Sequence, residues 1–417
     1  MRQSYRILPV YTGDVSGVCS ALYELHGMVV MHDPSGCNST YNTHDEIRWY
    51  DQDSLIFLSG LTHADAVMGS DDKLIGDIVT AARTYSPCFI AVCNSPIPYL
   101  SGQDFEGICR VIEQETGIPT FYAASNGMFD YVRGAGLALE ALARKMFDAL
   151  PDEEAGREPG TVNILGMTPL DFAADTCAAS VRRFAERAGW KVRSVWAMGD
   201  TLESLKEAPG AELSLVVSST GFLTAEYLHE RFGIPWAAGV PVGPFAPVLA
   251  AGMRKAQRTG ECSAVYLDDA LCPEEDRSRA PGEGGSAHAP RMTAAIGEAV
   301  LCGSIAAAAR LCGEQAEAVV TAGTHIPGEI GPLLGEGAGS LRCCLGEEEI
   351  EAVLAEYEAK CRTQGKKLRI AADPMYEMAA PEGTQIIRIP QLAFSGRVYR
   401  KEFPDLMDGE TWRRLWD

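Results

Sequence analysis

Apolar and polar residues follow two patterns along this chain: short apolar runs, and longer stretches with an apolar residue at every third or fourth position. Runs such as Met28–Met31, Asp65–Met68 and Val162–Leu165 predict buried strands. Stretches such as Leu223–Phe232 and Glu348–Lys360 have the spacing of amphipathic helices. Because strands alternate with helices throughout, the sequence predicts an α/β fold with parallel sheets covered by helices on both faces.

Two stretches rich in glycine, proline and charge interrupt this alternation, at Pro151–Gly160 and at Pro273–Pro290. Neither has apolar periodicity, as is typical of linkers. The sequence therefore predicts three tandem doubly wound, Rossmann-like domains at residues 1–155, 156–275 and 276–417. In that architecture ligands bind at the carboxyl ends of strands, in clefts between domains.

Charge and hydropathy exclude several classes of function. The 417 residues include 36 Lys and Arg against 57 Asp and Glu, a net charge of −21. Such acidity argues against binding to nucleic-acid phosphates or to anionic lipid. No run of about 20 apolar residues predicts a membrane span, and the N-terminus lacks the pattern of a signal peptide. We expect a cytoplasmic protein that binds neither nucleic acid nor membrane.

Motifs of several common enzyme classes are missing from the sequence. It contains no P-loop, no Gly-x-Gly-x-x-Gly after a strand, no Gly-x-Ser-x-Gly elbow and no His-Glu-x-x-His. A chain without a P-loop is not expected to hydrolyse ATP by itself.

Three of the thirteen cysteines stand where strands meet loops. Cys19 precedes the first clear strand, Cys37 follows Met28–Met31, and Cys93 follows the predicted strand Phe89–Val92. The carboxyl ends of parallel strands meet at one edge of a sheet, so the thiols of Cys37 and Cys93 are expected to converge there.

Cysteine thiolates without histidine partners are typical ligands of iron–sulfur clusters. Gly36 would let the backbone pass close to a bulky inorganic group. Three thiolates are one short of the usual four ligands, so a second subunit, a carboxylate or an exogenous ligand would have to complete the set. The alternative from spacing alone is that these cysteines are ordinary core residues.

The run His32-Asp-Pro-Ser-Gly-Cys37 resembles the His-x-Pro-x-Gly-Cys loop of the nitrogenase component 1 family. Relatives in that family include dark-operative protochlorophyllide reductase, chlorophyllide reductase and the nickel-sirohydrochlorin reductive cyclase. The resemblance continues in order through Asp65–Leu74, Cys93 with Leu100–Asp104, Ser125–Phe129, Leu213–Ser218, Tyr227–Pro235 and Asp373–Arg397. It covers most of the chain, and the ordered set is more specific than any one motif.

This resemblance implies an oxidoreductase subunit that holds an iron–sulfur cluster at a subunit interface. Cys19, Cys37 and Cys93 match the family's ligand positions, and a homodimer, or a heterodimer with a paralogue, would supply six thiolates. Such a set suits a four-iron (4Fe–4S) cluster or an eight-iron, P-cluster-like centre. The resemblance also implies a separate ATP-dependent iron-protein reductase as electron donor and a small-molecule substrate. The catalytic residues themselves are not identified by the sequence.

The sequence departs from the catalytic nitrogenase subunit where that subunit binds its cofactor. The second-domain strand ends in Val216-Val217-Ser218-Ser219, without the cofactor cysteine, and His325 is only the nearest candidate for the cofactor histidine. We therefore expect no molybdenum–iron cofactor and no reduction of dinitrogen. Two alternatives stay open: a non-catalytic scaffold or carrier for a metallocofactor precursor, and a cluster-free small-molecule binding protein.

Overall fold

The computed structural model describes residues 6–34, 46–69, 71–150, 156–173, 175–268, 290–324, 331, 341–394 and 403–416. These residues form three sheets, each sandwiched by helices, and every strand pair within them is parallel. The predicted α/β class with three parallel sheets is confirmed. Both predicted domain boundaries fall at stretches outside the described residues.

The first unit contains, in chain order, α1 (Asp14–Leu22), β1 (Met28–His32), β2 (Leu55–Leu58), α2 (His63–Met68), α3 (Asp72–Tyr85), β3 (Ile90–Asn94), α4 (Pro96–Leu100), α5 (Phe105–Thr116), β4 (Thr120–Tyr122) and α6 (Tyr131–Phe147). Its strand order is β2-β1-β3-β4. His32 pairs with Asn94, so the carboxyl ends of β1 and β3 lie side by side at one edge of the sheet.

The second unit contains β5 (Thr161–Leu165), α7 (Pro169–Phe172), α8 (Asp175–Arg187), β6 (Lys191–Val195), α9 (Leu202–Leu205), β7 (Leu213–Val216), α10 (Phe222–Phe232), β8 (Trp236–Ala238), α11 (Ala246–Thr259) and β9 (Ser263–Ala264). The strands are ordered β6-β5-β7-β8-β9. From β5 the chain adds β6 on one side and then β7, β8 and β9 on the other side, as in doubly wound folds.

The third unit contains β10 (Arg291–Gly297), α12 (Ala299–Leu311), β11 (Gln315–Val320), β12 (Leu341–Cys343), α13 (Glu347–Gln364), β13 (Lys367–Ala372), β14 (Gln385–Arg388) and α14 (Gly409–Trp416), with strand order β12-β11-β10-β13-β14. Short 3-10 helices lie at Ile47–Tyr50, Ala208–Gly210, Ser219–Gly221, Gly243–Phe245, Val265–Leu267 and Pro374–Met378. No helix in the described ranges has both the length and the apolar character needed to cross a bilayer.

The predicted strand Asp65–Met68 is wrong, because these residues belong to helix α2. The Thr62 hydroxyl accepts a hydrogen bond from the Asp65 amide, and the Asp65 carboxylate accepts one from the Thr62 amide. This capping box starts a helix locally, and Gly69, at a φ of 63°, ends it. No residue of α2 is buried, so no sheet contact competes with the cap. Strand β2, which the apolar pattern does not single out, occupies the sheet edge instead.

Helices α1 and α6, neither of them predicted, cross with their backbones in direct contact. A Cβ on Gly134 would lie 1.8 Å from the Asp14 carbonyl oxygen, and one on Gly17 would lie 2.3 Å from the Tyr131 carbonyl oxygen. Only glycine, which has no Cβ, allows this approach. All nine residues of α1 are buried. The helix therefore has no polar face, and the alternation of apolar and polar residues that predicts an amphipathic helix is missing. The crossing holds α1, which carries Cys19, against α6.

Replacing Gly134 with alanine is expected to lower the free energy of unfolding by about 3 kcal/mol, which is the upper end of the usual cost of overpacking. The cost is high because the new methyl group would meet backbone atoms that cannot rotate away. Urea unfolding of the two proteins would measure the loss. Gly76→Ala in α3 is the matched control. Its Cβ meets nothing within 4 Å, so that variant should gain about 0.5–1 kcal/mol. Equal effects at both positions would contradict the proposed close crossing.

Candidate functional site

Cys93 lies near the carboxyl end of the central strand β3, one residue before its last. The sequence predicts that Cys93 follows the strand. The strand in fact extends to Asn94, so Cys93 lies inside it. Its side chain is fully buried, and its thiol donates a weak hydrogen bond of 3.7 Å to the Val30 carbonyl on β1. The neighbouring strand thus positions this thiol at the shared edge of the sheet.

Cys19 reaches the same place from helix α1, and its side chain is also fully buried. The Cys19 and Cys93 thiols belong to one buried core cluster and lie close enough for Cys93 to raise the pKa of Cys19. Asp14, at the start of α1, accepts hydrogen bonds from the amides of Asn126 and Gly127 at 3.0 and 2.8 Å. These hydrogen bonds and the glycine crossing with α6 hold α1 in the position that places Cys19 beside Cys93. The structure therefore brings together two of the three predicted cysteines.

The third cysteine, Cys37, and Gly36 lie outside the described residues. The chain on either side of that segment is described and is anchored beside the two thiols. At one end, Ser59 Oγ lies 2.7 Å from His32 Nδ1 and accepts a 3.2 Å hydrogen bond from the Asp33 amide. At the other end, Glu46 is buried next to α1 and accepts a 3.1 Å hydrogen bond from the Ser20 hydroxyl. His325 also lies outside the described residues.

A buried arginine ties the segment after residue 45 to helix α1. Arg48 donates from Nε to Glu46 at 2.7 Å, from Nη1 to Glu24 at 2.8 Å and from Nη2 to the Ser20 carbonyl at 2.8 Å. Its guanidinium also lies 4.6 Å from the centre of the Tyr23 ring. Glu24 in turn accepts a 2.8 Å hydrogen bond from the Gly199 amide of the second unit. Arg48 therefore joins three parts of the chain around Cys19.

The electrostatics around Cys19 favour the protonated thiol. Burial raises the pKa of Cys19 well above its ordinary value, and the neighbouring Cys93 thiol and the charge of Glu46 raise it further. Burial lowers the pKa of His32, so its imidazole is neutral at neutral pH. A metal bound by Cys19 would have to displace the thiol proton.

Cysteine sulfurs fit an iron–sulfur cluster in chemical type, but two of them do not complete a site. Within the part of the chain that the structure describes, no group of three or more His, Cys, Asp or Glu side chains is placed to hold a metal ion. The described residues supply Cys19 and Cys93, and any third thiolate must come from Cys37.

Sequence reasoning missed most of the polar residues that organise this region. Ser59, Glu46 and Arg48 belong to no motif. The sequence feature that could have indicated them is that polar or charged residues flank an apolar strand. At the second-domain position that lacks the cofactor cysteine, Ser218 donates to Asp171 at 2.6 Å, and the Ser219 amide donates to Glu298 at 2.9 Å. Both serines are buried in a polar network that the sequence does not predict.

The three parallel sheets define a class of α/β proteins with several Rossmann-like units, and two buried cysteines lie near one edge of the first sheet of this chain. The family profile "Nitrogenase component 1 type Oxidoreductase" matches residues 15–247. The chain therefore belongs to the nitrogenase component 1 family, as the resemblance predicts.

Individual relatives in this family have different roles. The chain is 25% identical over 244 residues to a subunit of the light-independent protochlorophyllide reductase of Staurastrum punctulatum, covering 56% of this chain and 46% of the relative. It is 31% identical over 186 residues to the nitrogenase iron-molybdenum cofactor biosynthesis protein NifE of Sinorhizobium fredii, covering 44% and 36%. The match thus spans less than half the length of these curated relatives.

Solved structures extend the similarity of fold to the whole chain. The structure "Nitrogenase Cp1 at pH 6.5" superposes with a TM-score of 0.65 at 17% identity, covering 100% of this chain and 94% of the other. "Nitrogenase Cp1 at pH 5" gives a TM-score of 0.63 at 15% identity, covering 100% and 89%. At this identity the likeness concerns the fold alone.

Proposed function

We propose that this chain is a subunit of a nitrogenase-like oxidoreductase. It would accept electrons from an ATP-dependent iron-protein reductase through an iron–sulfur cluster at a subunit interface. It would then reduce a small molecule other than dinitrogen. The observation that carries the proposal is the meeting of the Cys19 and Cys93 thiols at the carboxyl edge of the first sheet. Membership of the nitrogenase component 1 family supports the redox chemistry.

The residues that would hold the cluster are Cys19, Cys93 and Cys37. The ends of the Cys37 segment are tied down at Asp33 and Glu46, close to the other two cysteines. When bound, the cluster would supply one-electron transfer. The protein's own part would be to bury the thiolates, to exclude water, and to fix α1 through Arg48. Gly36 would allow the backbone to pass close to the cluster.

Exposed apolar side chains beside this edge support a second subunit there. Helix α4 begins two residues after β3 ends, and its Ile97, Tyr99 and Leu100 are 44%, 50% and 75% exposed. Met128, 50% exposed, lies in the loop whose Gly127 packs against Pro96 of the same helix. A cluster of exposed apolar groups is typical of a protein interface. We propose a homodimer, or a heterodimer with a paralogue, that covers this surface.

The chemistry of the second-unit strand end argues against a molybdenum–iron cofactor. Ser218 and Ser219 are hard oxygen donors where a soft thiolate ligand would be required. Their hydroxyls are already engaged by Asp171 and Glu298. The proposed substrate is therefore a small molecule other than dinitrogen, bound in the cleft between the three units.

Iron and acid-labile sulfide per chain, in protein prepared without oxygen and supplied with iron and sulfide, would test the proposal. About two irons per chain would indicate one four-iron cluster per dimer, and about four would indicate an eight-iron centre. The Cys37→Ala variant should lose this iron. Wild-type protein without iron would overturn the proposal and favour the cluster-free binding protein.

A second candidate function is a scaffold or carrier for a metallocofactor precursor, and the match to a cofactor biosynthesis protein favours it. Both candidates predict bound iron. Turnover of a substrate that depends on reductant, ATP and a partner iron protein would support the enzyme. Release of bound metallocofactor to an acceptor protein, without turnover, would support the scaffold.

A further inference from the structure

Two carboxyl groups are buried together where the three units meet. Asp171 lies on the short helix α7, just after the carboxyl end of β5, and Glu298 directly follows β10. Both side chains are buried. Tyr131, at the start of α6, reaches them from the first unit. The pair therefore belongs to the inter-unit cleft.

The hydrogen-bond partners of the two carboxyl groups differ in kind. Glu298 accepts from three backbone amides, those of Ser219, Val300 and Leu301, at 2.9, 2.9 and 3.0 Å, and also from the Ser219 hydroxyl. Asp171 accepts hydrogen bonds from two hydroxyls, Tyr131 Oη at 2.5 Å and Ser218 Oγ at 2.6 Å, and Ser218 Oγ itself accepts from the amide and the hydroxyl of Thr220. An amide only donates, whereas a hydroxyl also accepts. Glu298 is thus suited to a carboxylate, whereas a proton on Asp171 can be donated to Tyr131 Oη, which as a hydroxyl can accept as well as donate.

No cation balances the pair within the described residues, since neither carboxyl group forms an ion pair there. In the first turn of α6, Arg133 instead stacks on the Phe129 ring, 4.5 Å from its centre, and its charge acts on Asp14. Among the described residues, the titratable groups that face the pair are neutral or acidic: Asp130, Tyr131, Cys177, Tyr266 and Cys302, with Tyr11 behind Tyr131. Two unbalanced charges at one buried place are strongly disfavoured.

We propose that the Asp171–Glu298 pair is a proton-binding site that holds one proton at neutral pH, carried by Asp171. Burial, with the charge of Glu298 as the second cause, raises the pKa of Asp171 to about 8, against the lowering effect of the hydrogen bonds from Ser218 and Tyr131. Burial also raises the pKa of Glu298. Asp171 lines a cavity of about 20 Å3 between the second and third units, together with Phe172, Leu301 and Ile389. That volume is enough for one water molecule, which would connect the proton to the cleft.

The destination of this proton rests on the proposed function. A reduction in the cleft adds electrons to the substrate, and protons must accompany them to keep charge balanced. Asp171 would release its proton to the reduced substrate, the electrons would come from the iron–sulfur cluster, and solvent would reprotonate the carboxylate. The proton-binding site itself does not depend on any bound iron.

Infrared spectroscopy of the iron-free protein at neutral pH tests the site. The wild type should show the carbonyl stretch of an un-ionised carboxylic acid that shifts on exchange into D2O. Asp171→Asn should lose this band, and in Glu298→Gln the band should disappear at a lower pH than in the wild type, because the charge of Glu298 no longer opposes ionisation of Asp171. No band in the wild type overturns the proposal. A band kept in Asp171→Asn overturns the assignment to Asp171.

The pH dependence of unfolding is an independent measurement. The folded protein holds the Asp171 proton up to a pH of about 8, whereas the unfolded chain releases it at a pH of about 4. Between these values the folded state binds more protons, so its stability falls as pH rises. The wild-type folding constant should fall up to about tenfold per pH unit relative to Asp171→Asn. Parallel curves for the two proteins would contradict the proposal.

These tests separate the two proposals. An infrared band in a protein that never binds iron would sink the proposed function and leave the proton site standing. Bound iron in a protein without the band would do the reverse.

Discussion

Replacing Cys93 or Cys19 with alanine is expected to abolish iron binding while leaving the fold intact. Each change removes one thiol from the pair that meets at the edge of the first sheet. A cluster that needs both sulfurs cannot form without one of them, because water or a backbone carbonyl is a poor substitute for a thiolate. Iron and acid-labile sulfide per chain would be measured on protein reconstituted without oxygen.

Cys109→Ala is the matched control for these variants. Cys109 is a buried thiol of the same unit, on α5, whose pKa is raised to about 12 mainly by burial. It packs in a core cluster that contains neither Cys19 nor Cys93. The control variant should bind as much iron as the wild type. If all three variants kept their iron, Cys19 and Cys93 would be packing residues and the proposed site would be wrong.

Replacing Arg48 with methionine is expected to lower the free energy of unfolding by about 3–5 kcal/mol, the usual cost of removing one partner of a buried ion pair. Methionine keeps much of the apolar length of the side chain but none of its donors. Glu46, which is 3% exposed, and Glu24 would then lose their ion pairs with Arg48. The loss would be measured by urea unfolding of iron-free protein.

An exposed ion pair provides the control for the Arg48 variant. Arg342 and Glu356 lie 2.7 Å apart, with side chains that are 44% and 58% exposed. Arg342→Met should change stability by less than about 1 kcal/mol, because water screens the pair. We also expect Arg48→Met to bind less iron than Arg342→Met, since Arg48 holds the chain after residue 45 against α1. Equal stability in the two variants would rule out the role assigned to Arg48.

Much of the fold could be predicted from local pattern alone. The strands near Met28–Met31 and Val162–Leu165 and the helix near Leu223–Phe232 all occur close to the predicted positions. They were predictable because parallel strands buried on both faces leave continuous apolar runs. The error at Asp65–Met68 has a local cause, since a capping box outweighs a short apolar run that nothing buries.

Helices α1 and α6, by contrast, could not be predicted from local pattern. The glycines that allow their contact, Gly17 and Gly134, are separated by more than a hundred positions, and either glycine alone would argue against a helix. The same holds for the candidate site. The sequence singles out Cys19 and Cys93, but their contact depends on the crossing of two helices and the register of β1 with β3.

The sequence by itself determined the α/β class, the family and the short set of thiols able to bind iron, because these depend on residue type and order. Only the tertiary structure decided that Cys19 meets Cys93, that Arg48 joins Glu24 and Glu46, and that Asp171 and Glu298 share one buried place. The physical reason is that burial and charge act through space. A carboxyl group keeps its proton because of what the folded chain packs around it, and residues far apart in sequence supply that surrounding.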